Sequence, residues 1–189
     1  MSQPAVLAIV GLAGTGKSTA VRAVINRYHV PSVYFGGEVL AEVARRGLPV
    51  GGDSERLVRE SLRAEHGMAA IARLALPGIR AGLATAAPFL LVDGVYSWAE
   101  VELLRAELPA PLILLAVHAP RTLREERLLH RPVRPMTAEQ LRERDEAEIR
   151  ALDKATPIAL ADLHVVNDGD RASFEARVLE LVAGAFPVG

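Results

Sequence analysis

Residues 11–19 of the chain read Gly-Leu-Ala-Gly-Thr-Gly-Lys-Ser-Thr. Three glycines, a lysine and two hydroxyls make a poor strand and a poor helix interior, but a good anion trap. A loop with few side chains can turn successive backbone N–H groups inward, toward the oxygens of a bound anion. Lys17 adds a mobile full charge, and Ser18 and Thr19 add hydroxyls. The apolar run "AVLAIV" (5–10) stands directly before the loop, and a helical pattern opens at residue 17. The glycines therefore join a strand to a helix N-terminus, whose partial positive charge favours the same anion.

In that setting Gly11-x4-Gly16-Lys17-Ser18 matches the phosphate-binding P-loop. The expected roles follow from the chemistry. Gly11, Ala13, Gly14, Thr15 and Gly16 wrap the phosphates with backbone, and Lys17 reaches the β- and γ-phosphates. The Ser18 hydroxyl completes a Mg²⁺ shell, and Thr19 meets the α-phosphate. A glycine-rich turn with no ligand is the plain alternative. A dinucleotide site fits worse, because the glycines fall as G-x-x-G-x-G rather than G-x-G-x-x-G and the lysine has no role there.

Asp93 ends the apolar run "PFLLVD" (88–93) and precedes Gly94. A carboxylate at the end of a core strand can hold a Mg²⁺-bound water or act as a base, or can be an ordinary turn residue. Arg124, Arg127 and Arg131 recur at helical spacing, Arg134 follows beyond Pro132, and Arg142 and Arg144 stand on the next helical pattern. Arg124 and Arg150 read as solvated surface charge. The others are candidates for neutralising charge around a transferring phosphoryl group, which needs positive charge and exclusion of water more than covalent help.

The elements that must position these groups alternate along the chain. Strands are expected at 5–10, 31–35, 88–93, 111–117 and 163–166, most of them buried on both faces. Helices are expected at 17–28, 38–46, 53–65, 68–85, 97–107, 120–130, 137–152 and 171–184, with N-caps at Asp53-Ser54, Ser97 and Thr137 and stops at Gly47 and Gly67. This is the pattern of an α/β fold, a parallel sheet with helices on both faces. The 189 residues suit one domain, half of them are hydrophobic, and the formal net charge is −1. That balance argues against a disordered tail or a charge-driven nucleic-acid binder. The absence of cysteine excludes disulfides, thiolate metal sites and cysteine nucleophiles. No signal-peptide pattern or spanning stretch is evident, so a cytoplasmic protein is expected. Lysine occurs only at 17 and 154; arginine carries every other basic position apart from histidine. The five histidines show no metal spacing; Trp98, His29 and His118 read as packing or fold residues, and Tyr34 and Phe35 as strand-end packing.

Further stretches, in order, resemble the small P-loop kinases, the superfamily of adenylate kinase and dephospho-CoA kinase, and most closely an archaeal and bacterial family related to those two. They are "GGEVLAEVARRGLPVGG", "LLVDGVYSWAEVELL", "RLLHR", "RERDEAEI" and "ALADLHVVNDGD". The resemblance implies a three-layer P-loop sandwich with a five-stranded parallel sheet, spanning 1–189. It also implies an acceptor-side helical insertion at about 37–86 and a short lid at about 128–144. It implies ATP and Mg²⁺ as cofactors, with Ser18 and Asp93 toward the metal. Arg127 would lie by the adenine or phosphates, Arg131 and Arg134 over the transferring group, and Arg142 and Arg144 on the transferring and acceptor phosphates. Asn167 and Gly169 would flank the base, and Gly37 and Glu38 would begin the acceptor pocket.

Three departures fall on the acceptor side. The family pattern carries aspartate, arginine and arginine where this chain has Glu38, Ala41 and Tyr96. Each lost arginine removes a bidentate phosphate clamp. Arg45, Arg46, Arg59 or Arg63 could compensate, or could be surface charge. The expectation is an ATP-dependent kinase for a nucleotide or nucleotide-like molecule. A kinase for a non-nucleotide acceptor and a nucleotide-binding regulator with little turnover are the alternatives. The expected partners are small molecules, with neither membrane nor nucleic acid, on a monomer or homodimer.

Overall fold

The structure, a computed structural model, describes residues 4–186. Five parallel strands form one sheet, β1 (Ala5–Val10), β2 (Ser32–Tyr34), β3 (Phe89–Asp93), β4 (Leu112–His118) and β5 (Leu163–Val166), in the order β2-β3-β1-β4-β5. Between them run α1 (Lys17–Tyr28), α2 (Phe35–Arg45), α3 (Gly52–His66), α4 (Ala70–Leu83) and α5 (Trp98–Glu107). The C-terminal half adds α6 (Arg121–Leu129), α7 (Ala138–Leu152), α8 (Ala155–Ala159) and α9 (Arg171–Ala185).

The three layers follow from side-chain alternation along the central strands. Val6, Ala8 and Val10 of β1, with Leu90 and Val92 of β3, face a core shared with α2, α3, α4 and α5. Ala5, Leu7 and Ile9, with Phe89 and Leu91, face the opposite core built on α1 and α9. Both faces are dry, so β1, β3 and β4 read as continuous apolar runs. A third, small cluster of Ala13, Leu128, Leu141 and Met136 ties the glycine loop to α6, α7 and the 130–136 segment.

β1 sits between β3 and β4, while the chain leaving β1 runs through α1 to the distant edge strand β2. That reversal opens a crevice beyond the carboxyl ends of β1 and β3, the usual ligand position in an open α/β sheet. Register brings Ile9, Asp93 and Tyr34 side by side at that edge.

The expected five-stranded parallel α/β sheet is present, and the N-caps expected at Ser97 and Thr137 are formed, each closed into a capping box, with Glu100 and Gln140 respectively. Other details differ. The edge strands β2 and β5 are partly exposed rather than buried on both faces. α2 starts at Phe35 rather than near residue 38, because the Phe35 ring turns into the core and ends β2 early. α3 is entered from Gly51, so Asp53 and Ser54 lie inside its first turn instead of capping it. α8 was not anticipated; its five residues hold no amphipathic period and include Pro157. No helix among the described residues is long and apolar enough to cross a membrane.

Candidate active site

The loop after β1 takes the conformation its glycines allow. Gly16 has φ +106°, and a Cβ there would run into the Asn167 amide. Gly11 has φ +148°, and a Cβ would lie 2.5 Å from the Val117 carbonyl oxygen. Both positions therefore require glycine for backbone shape and for space. The hydroxyl of buried Thr15 donates to the Leu12 carbonyl at 3.0 Å, closing the loop on itself.

Several side chains from distant elements hold the loop. Arg124 donates from Nε to the Ala13 carbonyl at 2.6 Å, and its Nη2 reaches both Asp145 oxygens at 2.6 and 2.8 Å. This overturns its expected place in a solvated stripe: its side chain is 7% exposed. Asn167, buried after β5, donates from Nδ2 to the Thr15 carbonyl at 2.9 Å and accepts from Arg127 Nη2 at 3.2 Å. Arg127 Nη1 is buried without a partner.

One cavity of about 1320 Å³ lies over the loop. Ala13, Gly14, Gly16, Lys17, Ser18 and Thr19 line one wall, and Asp93 and Tyr96 lie at the ends of the sheet strands. Arg127, Arg131, Arg134 and Arg144 come from the other side, and Tyr34, Phe35, Arg59 and Arg63 from α2, α3 and their approach. Nine basic side chains line it against four acidic ones, so its field favours anions.

Lys17 Nζ donates to the Leu12 carbonyl at 2.8 Å. Burial, reinforced by the positive charge of Lys154, lowers its pKa to about 7. Burial pushes the Asp93 carboxyl up, against the pull of Lys17. Below Tyr96, the Nζ of fully buried Lys154 lies 2.5 Å from Glu148 Oε2 and 4.1 Å from the centre of the Tyr96 ring. Arg144 Nε donates to the other Glu148 oxygen at 2.8 Å. Burial alone would raise Glu148, but Lys154 and Arg144 outweigh it and hold the carboxyl below its ordinary range. Burial pushes the Tyr96 hydroxyl up to about 12, so it stays a proton donor.

Arg134 adopts φ +57° in the 130–136 segment and pairs with Glu55 of α3 at 2.6 Å, linking the two sides of the cavity. Of the residues expected at the site, seven stand apart from the cavity wall. Arg142 is exposed and pairs with Glu139 at 3.5 Å. Gly37 and Glu38 lie in the first turn of α2, where Gly36 rather than either lines the cavity. Gly169 is exposed in the turn after β5, and Asn167 acts from behind the loop. Gly11 and Thr15 shape the loop from its buried side. Lys154, Glu148 and Asp145 were not foreseen. The one available signal was the scarcity of lysine, since a chain that otherwise uses arginine keeps its second lysine here.

No protein-family model matches the chain. A UPF0200 protein of Thermococcus gammatolerans is 37% identical over 180 residues, covering 94% of this chain and 93% of its own length. Another, from Methanoculleus marisnigri, is 34% identical over 184 residues, covering 94% of each. A Thermus thermophilus protein of solved structure superposes with a TM-score of 0.70 at 20% identity over all of both chains. A gluconokinase from Sinorhizobium meliloti gives 0.58 at 18% identity, over 99% of this chain and 96% of its own. A shikimate kinase from Aquifex aeolicus gives 0.57 at 15%, over 95% of this chain and 98% of its own. At such identities the likeness is one of fold, that of the P-loop kinases. By its close relatives, the chain belongs to the UPF0200 family.

Proposed function

We propose that this chain transfers the terminal phosphoryl group of ATP to a nucleotide or nucleotide-like small molecule. The observation that carries the reading is that the loop, Asp93 and four arginines from α6, α7 and the segment between them meet on one cavity. A regulatory binder has little use for arginines gathered where a γ-phosphate would lie. The site suits its ligands. The Gly16 backbone leaves no room for a side chain, the partnerless Arg127 Nη1 awaits an acceptor, and Lys17 needs only to exchange the Leu12 carbonyl for phosphate oxygens. Ser18 and Asp93 would hold Mg²⁺, which would neutralise charge on the phosphates.

The acceptor oxygen attacks the γ-phosphorus in line as the bond to the β–γ bridging oxygen breaks and ADP leaves. The acceptor's proton passes to solvent, and Asp93 would position either Mg²⁺-bound water or the acceptor itself. Lys17, Arg131 and Arg144 neutralise the developing charge. The segment at about 128–144 serves as a lid, with Arg134 latched to Glu55 and Met136 seated on the Ala13 cluster. The helices between β2 and β3 form the acceptor side. The protein acts in the cytoplasm, on small molecules rather than on membrane or nucleic acid, as a monomer or homodimer.

A second reading, the same chemistry on a non-nucleotide acceptor, is favoured by Tyr96 and Ala41. Tyr96 fills the cavity floor where the kinase pattern has an arginine, and Ala41 is exposed on α2 away from the cavity. The test is ADP release from Mg-ATP with common acceptors by the wild type and Lys17→Ala. Turnover should vanish in the variant with the fold intact, and equal activity in both would defeat the assignment.

A further inference from the structure

Two acceptor-clamp arginines of the kinase pattern are missing, and four others were candidates to replace them. Arg45 and Arg46 are committed elsewhere: Arg45 holds both oxygens of Glu42 at 2.6 Å, and Arg46 holds Glu42 at 2.6 Å and Ser61 at 2.8 Å. Arg59 lies 3.5 Å from Glu55, a carboxylate already shared with Arg134. Arg63, one turn further along α3, lines the cavity, and its Nε is buried with no hydrogen-bond partner. The charge that acts on it most is that of Glu100, fully buried, whose Oε2 accepts from the Tyr96 and Ser97 N–H groups at 2.6 and 3.1 Å. The other oxygen, Oε1, has no partner. A guanidinium N–H withdrawn from water without a partner is costly in the free protein. Its planar fork matches the two oxygens of a phosphate or carboxylate.

We infer that Arg63 is an oxyanion subsite for the acceptor, binding a phosphate monoester or carboxylate on the molecule that receives the phosphoryl group. The inference rests on the phosphoryl-transfer reading above for the role of the bound molecule. It moves the acceptor clamp from the positions of Ala41 and Tyr96 to α3. Tyr96 then supplies a neutral donor beside the anion in place of a second charge. The rival explanation is that Arg63 merely balances buried Glu100.

The test follows the Arg63 Nε–H signal by NMR, assigned by its loss in Arg63→Lys. The P-loop is first titrated with a non-hydrolysable ATP analogue and Mg²⁺. Inorganic phosphate and sodium acetate are then added in separate arms. A saturable shift of the Arg63 signal with one probe, absent for the other surface arginines, is expected and identifies the class of anion. An acceptor carrying that group should then lose at least tenfold in kcat/KM in Arg63→Lys, mainly through KM, with analogue affinity unchanged. No Arg63 shift with either probe, while the analogue binds, would overturn the subsite and leave the kinase reading standing. A saturable shift in a protein that fails to bind the analogue would keep the anion site and remove the kinase reading. In a second variant, Glu100→Gln, the anion-induced shift should persist; its disappearance there would assign Arg63 to charge balance alone and sink the proposal.

Discussion

The two walls of the cavity are built in different ways. On the nucleotide wall, nine consecutive residues hold the loop in shape through backbone and glycine conformations, with Arg124 and Asn167 buttressing it from behind. On the acceptor wall, side chains from α2, α3, α7 and the end of β3 converge, and most of their charges are already paired with one another. The first wall depends on a contiguous run and tolerates little change. The second depends on which of many arginines has no carboxylate to itself.

The largest effect expected from breaking this contrast is at Arg131, which lines the cavity without a partner carboxylate among the described residues. Arg131→Ala should lower kcat about a hundredfold or more if the side chain stabilises transition-state charge. Steady-state kinetics check this, and a loss below about threefold would return Arg131 to ordinary surface charge.

Next comes pH. In the free protein Lys17 has a pKa of about 7, and a bound triphosphate would restore it toward its ordinary, higher value. Binding above pH 7 must then take up a proton. Affinity for the ATP analogue is full below pH 7 and falls above it, by up to about tenfold per unit. Calorimetry at pH 7 to 9 in buffers of different ionisation enthalpy reads both the affinity and the proton. A flat affinity over that range would show that Lys17 is already charged in the free protein.

Lys154 connects the two walls, since it pairs with Glu148 on the acceptor side and lowers Lys17 on the nucleotide side. Lys154→Met leaves Glu148 buried with one partner fewer, and should cost about 3 kcal/mol of unfolding free energy in a denaturant titration. The same variant should move the midpoint of the affinity profile to higher pH. An unmoved midpoint would mean that the walls are electrostatically independent.

The contrast also explains what could be read before the fold was known. Spacing alone located Lys17–Tyr28 as a helix and the glycine loop as its entry, because both are decided by neighbours in sequence. The Ser97 and Thr137 N-caps were legible for the same reason. Helical spacing placed Arg124, Arg127 and Arg131 on one face, but could not say which one the loop would meet. Burial of Arg124 is set by Asp145, 21 residues away on another helix. Lys154 lies beyond the end of α7, where no periodic pattern runs, so only its rarity marked it. Phe35 reads equally well as the end of a strand or the start of a helix, and the core chose the helix.

The most direct test of the central claim is transfer itself. The wild-type protein is given γ-labelled Mg-ATP with a panel of nucleoside monophosphates, dephospho-CoA, phosphorylated sugars and carboxylate-bearing alcohols, and the label is followed. The account predicts that the label appears on one class of acceptor in step with ADP release. Label that stays on ATP throughout, or that appears only as inorganic phosphate at a rate no acceptor changes, would contradict it.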